Sequence, residues 1–232
     1  MTKRLLIALV VLAGLAVGTA LLFRDRLHGL LVGDDTNSHA AFERWLAADA
    51  EHGQAFGRFE TFLQSQGVSG VVPDWQLLRI DTNLAARCDQ PSFAVPPEGL
   101  WPRIVPALRL VRDRVEPLVG EVEVLSAFRP TAINTCVGGA SGSKHMAFAA
   151  LDLATVDRQH DAAFFTSLCA MQARAGPASR MGLGAYFDPA DPDRAHGRFH
   201  IDGEGFRNWG FDYTSRSSPC PLFEAQETGD NT

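Results

Sequence analysis

Hydrophobic and polar positions change rhythm several times along this chain. LLIALVVLAGLAVGTALLF, residues 5–23, holds nineteen positions without a charge, between Lys3-Arg4 and Arg24-Asp25-Arg26. At about 1.5 Å per residue such a helix just matches a hydrocarbon core of roughly 30 Å. Residues 1–26 are therefore expected to be a signal anchor, with a cleaved signal peptide as the alternative because Gly18-Thr19-Ala20 resembles a cleavage site. Beyond a short tether, Phe42, Trp45, Leu46, Phe56, Phe59 and Leu63 recur at helical spacing, with Asn37 or Ser38 available as a cap. Gly53 and Gly57 predict either one long helix or two broken at the glycines.

Ile104, Leu108, Val111, Val115 and Leu118 mark one face of a further helix, ended by Gly120. EVEVLSAF then alternates as a half-buried strand does, and it runs straight into SAFRPTAINTCVGGASGSKHMAFAALDL, residues 126–153. DAAFFTSLCAMQARAG reads as a helix, while MGLGAYF and GRFHIDGE read as short strands flanking a loop rich in Asp and Pro. Helices followed by short strands predict an α+β fold with a small antiparallel sheet flanked by helices. The expected organisation is anchor or signal at 1–26, tether and helical region at 27–92, a main domain at 93–223 and a disordered tail at 224–232.

Charge narrows the function. The chain carries 21 basic and 27 acidic residues, and the first 26 residues hold four of the bases but only one acid. The remaining residues thus stand at −9, and they contain no basic run of the kind a nucleic-acid backbone requires. The N-terminal charges orient the rest of the chain outward, to the cell envelope: an inner-membrane anchor with a periplasmic domain, or secretion to the periplasm after cleavage. In that oxidising setting Cys88, Cys136, Cys169 and Cys220 suit disulfides, not a zinc knuckle, since no CxxC is present. Three pairings are open. Cys88–Cys136 with Cys169–Cys220 is the expected one, and a bridge at Cys136 would brace the loop before His145.

Candidate chemistry gathers around that loop. His145 and Asp152, seven residues apart, would lie about 10.5 Å apart along one helix, too far to share a metal. On one straight strand an odd spacing would send them to opposite faces. Only a bent path lets them converge, and GGASGS supplies the freedom for one. In GRFHIDGE, His200 and Asp202 share a strand face while Phe199 and Ile201 face the core. Two histidines and an aspartate make a plausible catalytic zinc set, although the spacing alone also suits ordinary hydrogen-bonded polar residues.

The stretch from Ser126 to Leu153 resembles the S-G/A-Y-R-S-P-x-x-N…GGA-x-x-S-x-H-x-x-x-x-A-x-D signature of the peptidase M15 family. GLGAYF and FHIDGEGFRNW are similar to that family's G-x-G-x-Y and F-V-H-x-D…R-x-W elements. The resemblance implies a zinc-dependent peptidase acting on peptidoglycan stem peptides, of D-alanyl-D-alanine carboxypeptidase type, or a murein endopeptidase. It implies Zn2+ held by His145, Asp152 and His200, with Arg129 and Ser143 meeting the substrate. Asn134 is expected to hold the loop through backbone bonds.

The sequence also departs from the pattern. Some relatives carry an acidic general base three positions before the last histidine, where this chain has Gly197. Asp202 and His196 are the replacements expected, with Asp193 and Glu204 nearby; Asp202 equally suits the role of orienting an imidazole. Phe128 stands where Tyr is usual, and Phe148 or Ala149 where a small glycine often sits. A catalytically silent zinc- or murein-binding module remains the alternative.

Overall fold

The computed structural model describes residues 36–188, 190–191 and 197–220. The expected anchor, most of the tether and the tail lie outside the described residues, as do His196 and Asp193. Among the described residues, no helix is long and apolar enough to cross a membrane.

Two helices open the described chain, α1 (His39–Ala48) and α2 (Ala50–Ser65). The Ser38 hydroxyl accepts the Ala41 N–H at 3.1 Å, the cap the sequence offered. The break falls at Asp49, not at the glycines. Asp49 is extended and accepts the Glu51 N–H at 2.8 Å, so it starts α2. The glycines stay inside α2, where little packs against them. A 3-10 turn, Asp74–Leu78, follows and covers the free edge of strand β1 (Val122–Ser126). There the Gln76 side chain accepts the Val124 N–H at 2.9 Å, and Arg79 donates to the Val124 carbonyl at 2.8 Å. That leaves the edge shielded from stray pairing.

Short helix α3 (Thr82–Arg87) precedes the run expected as one helix. That run is continuous but not uniform: a 3-10 turn Glu98–Arg103, α4 (Val105–Leu110), a π-turn Val111–Val115 and α5 (Glu116–Val119). Pro117 lacks the N–H and its ring would press on the carbonyl of Asp113, which a widened turn relieves. After β1 come α6 (Thr131–Cys136), β2 (Ala150–Thr155), α7 (Ala162–Ala175), β3 (Gly182–Ala185), β4 (Phe199–Asp202) and β5 (Arg207–Trp209).

The five strands form one sheet in the order β1-β2-β4-β3-β5. The fold is α+β, but the sheet is not purely antiparallel, because β5 pairs parallel with β3. The chain leaves β4 at Asp202, steps across the start of β3 and begins β5 beside Gly182, so β5 has to run with β3. One sheet face is apolar: Leu151 and Leu153 lie beside Ile201 and Phe199, with Leu183 and Ala185 beyond, all buried. α4 packs against β4 and α7 against β3. The opposite face carries two rows of chemistry. Ser126, Asp152, His200, Gly184 and Trp209 register across the sheet, and Ala150, Asp202, Gly182 and Arg207 register beside them.

Both expected disulfides are present, Cys88–Cys136 and Cys169–Cys220. Cys88–Cys136 joins the end of α3 to the end of α6. With partners 48 and 51 positions apart, each contributes about 4 kcal/mol in the chain-entropy picture.

Candidate metal centre

His145 sits in a tight series of turns just before β2, and Asp152 sits on β2 itself. The chain bends between them at Phe148, which adopts φ +51. This is the left-handed region where glycine is at ease and a bulky residue is strained by about 1–2 kcal/mol. Burial offsets the strain: Phe148 is fully enclosed, its ring 5.8 Å from Phe59 of α2 and 6.2 Å from Phe128. The bend is the turn that convergence requires.

Three ligand atoms then meet. His200 Nδ1 lies 3.0 Å from Asp152 Oδ1 and 3.2 Å from His145 Nε2, and His145 Nε2 lies 3.5 Å from Asp152 Oδ1. Four ligands at about 2.0–2.1 Å in a tetrahedron stand roughly 3.3 Å apart. All three residues are buried, and the group can hold a metal ion.

The far side of each imidazole decides its tautomer. His145 Nδ1 is 3.0 Å from the Ala127 carbonyl, which only accepts, so that nitrogen carries the proton. His200 Nε2 is 3.1 Å from Asp202 Oδ2, and there too the nitrogen donates. With both imidazoles neutral, two nitrogen lone pairs and a carboxylate oxygen face one point. Such a point demands a cation.

The electrostatics agree. Burial works against a charged His200, but hydrogen bonds to Asp152 and Asp202 outweigh it and raise its pKa above the usual imidazole value. Burial would also raise the Asp152 carboxyl, yet Arg198, with contacts to His145 and His200, holds it well below the ordinary range. Arg198 Nε stands 3.8 Å from Asp152 Oδ2 and Nη1 3.5 Å from Asp81 Oδ2, with its guanidinium 5.0 Å above the Tyr186 ring. Oδ1 therefore faces the histidines while Oδ2 faces the arginine.

Asp202 is fully buried and has no free oxygen to offer. Arg207 grips it with two bonds of 3.0 and 2.7 Å, the Glu204 N–H donates at 2.8 Å, and His200 takes the rest. Against the effect of burial, these bonds bring its pKa to about 2. It is absent from the cleft lining, a geometry that suits orienting His200 better than exchanging protons with a substrate. Gly197 adopts φ +76, and a Cβ there would lie 2.2 Å from the Gln159 carbonyl oxygen. No acid fits that position here.

A cleft of about 800 Å³ opens over the three candidate ligands. Arg129 and Ser143 both line it. Arg129 Nε is buried without an acceptor, and no acid among the described residues pairs with this side chain. The Asn134 amide donates to the Gly139 and Ala140 carbonyls at 3.2 and 3.3 Å, holding the loop as expected. Sequence reasoning missed Arg198 and gave no role to Tyr186, Arg207 or Trp209. Arg198 had one signal, its place two residues before His200 on the same strand face.

An α+β chain with a buried His-Asp-His cluster beneath an open cleft defines a class, that of a candidate metalloprotein with an accessible site. The family model described as Peptidase M15 matches residues 80–184, a match that supports membership of that family. The matched stretch contains Arg129, Ser143, His145 and Asp152, while His200 lies beyond it. A second family model, a domain of unknown function (DUF4880), matches residues 26–62. Comparison with curated proteins and with solved structures gave no match. The match points to a peptidase.

Proposed function

We propose that this chain is a zinc-dependent peptidase of peptidoglycan stem peptides, of the D-alanyl-D-alanine carboxypeptidase type, working in the cell envelope. The observation that carries the reading is the convergence of His145 Nε2, His200 Nδ1 and Asp152 Oδ1 within 3.0–3.5 Å, each imidazole already donating its other N–H. Two nitrogens and one carboxylate oxygen form the donor set of a catalytic zinc site with an open position. When bound there, zinc supplies Lewis acidity to the scissile carbonyl and acidifies water toward neutrality.

The chain's own residues do the rest. The Ala127 carbonyl and the Asp202 carboxylate fix the two rings, and Arg198 keeps Asp152 ionised and turned by one oxygen toward them. Arg129 offers a planar fork to the terminal carboxylate, which also fixes the peptide's register over the site. The Ser143 hydroxyl, on the cleft wall, hydrogen-bonds the peptide beside it.

Zinc content of the full-length chain after chelation and reloading, together with mass analysis of a stem pentapeptide, tests the reading. About one zinc per chain and loss of one terminal D-alanine are expected. Release of a cross-linked partner instead would make it an endopeptidase. A second reading, a zinc-dependent binding module, draws on Gly197 and on the absence of any cleft carboxylate but Asp152 among the described residues. Full zinc loading without turnover of either substrate would favour it.

A further inference from the structure

The chain is acidic overall, with a formal charge of −6. Its cleft is not. Among the described residues lining it, five cations, Arg87, Arg129, Lys144, Arg198 and Arg207, face one carboxylate, Asp152. Three of the five have acidic partners: Arg198 with Asp152 and Asp81, Arg207 with Asp202, and Lys144 at 3.8 Å from Glu204. Arg87 and Arg129 have none among the described residues, and the buried Arg129 Nε has no acceptor at all. Like charges beside one concave surface raise each other's energy and focus an attractive field on an incoming anion.

The backbones of these two arginines lie at opposite ends of one short helix. Arg129 lies two residues before α6, while Arg87 closes α3 beside Cys88, which the disulfide ties to Cys136 at the end of α6. Six helical residues span about 9 Å, and an extended peptide covers that distance in about three residues.

We propose that Arg87 forms a second carboxylate subsite. The preferred substrate is then a peptide with two free carboxylates, the terminal one at Arg129 and an internal one, about three residues upstream, at Arg87. The proposal rests on the reading of Arg129 given above. It makes stem peptides with free internal carboxylates the substrates, and stems with the same group amidated the poor ones.

The test uses two model stem peptides that differ only in whether that internal carboxylate is free or a primary amide. For the zinc-loaded full-length chain, kcat/KM should favour the free acid by roughly fivefold or more, mostly through KM, and added salt should erode the preference. Arg87→Gln should remove the preference and Arg87→Lys should keep part of it, with the Cys88–Cys136 bridge verified intact in both. Equal turnover of the two peptides by the wild type, or a preference that survives Arg87→Gln, overturns the subsite. Calorimetric binding of both peptides separates this from the parent reading. A binding preference without turnover keeps the subsite and sinks the peptidase, and equal binding sinks the subsite whatever the turnover.

Discussion

His200 is held from both ends, one nitrogen toward the candidate ligand point and the other on Asp202, which Arg207 locks from behind. Asp202→Asn should therefore weaken zinc retention by about 10–100-fold, the usual cost of losing a partner behind a ligating histidine, while leaving the fold intact. Competition with a chromophoric chelator measures this, and unchanged affinity would show that Asp202 does not orient the ring. The same variant has a stability signature. Asp202's pKa is depressed to about 2, so its contribution is present above about pH 4 and lost as pH falls through 2. The Asn variant should lack that acid-side loss. At this scale the sequence was informative where residue type and a required bend coincide, as at His145, Asp152 and His200. It was silent where a role depends on which side chain is already paired. Arg198 and Arg87 look alike as letters, but one is committed to Asp152 and Asp81 and the other to no acid among the described residues.

Strand β3 shows why an element can matter through what it omits. A Cβ on Gly184 would stand 2.8 Å from Trp209 and 2.9 Å from the Cβ of His200, and one on Gly182 would stand 2.6 Å from Asp202 Oδ2. The two glycines let Arg207 reach Asp202, and Trp209 reach His200 with ring centroids 5.0 Å apart, across a strand that fills no space between them. Gly184→Ala should cost about 1–3 kcal/mol by overpacking, seen as a lower urea midpoint, and should loosen zinc by tilting His200. Normal stability with normal zinc would mean that the row is not tightly packed. Periodicity revealed β1 and α7 because each has one wet and one dry side. β2 escaped it because every one of its residues is buried, so no alternation exists to read. α3 and α6, at six residues each, are too short to display a period.

At the scale of the molecule, the core does not respect the matched stretch 80–184. β4 sits between β2 and β3 although it follows both in sequence, and α2 reaches the site from the other side through Phe59. The disulfides were legible because four cysteines without a CxxC left few options. The contact between Phe59 and Phe148 was not, since nothing in either local pattern names a partner 89 positions away. That contact has a consequence for the metal. Phe148 keeps its left-handed backbone only because its ring is enclosed, and that backbone is the bend carrying the chain from His145 to Asp152. Phe59→Ala opens a cavity in a fully buried position and should cost about 3–5 kcal/mol. It should also let the bend relax, so that zinc affinity falls although no ligand has changed. Phe62→Ala, on the same helix but only partly buried, is the control and should lower stability less and leave zinc alone. Measuring zinc affinity in both variants well below their unfolding temperatures separates the two effects. If Phe59→Ala unfolds more easily yet binds zinc as the wild type does, the helical pair supports the domain without shaping its site.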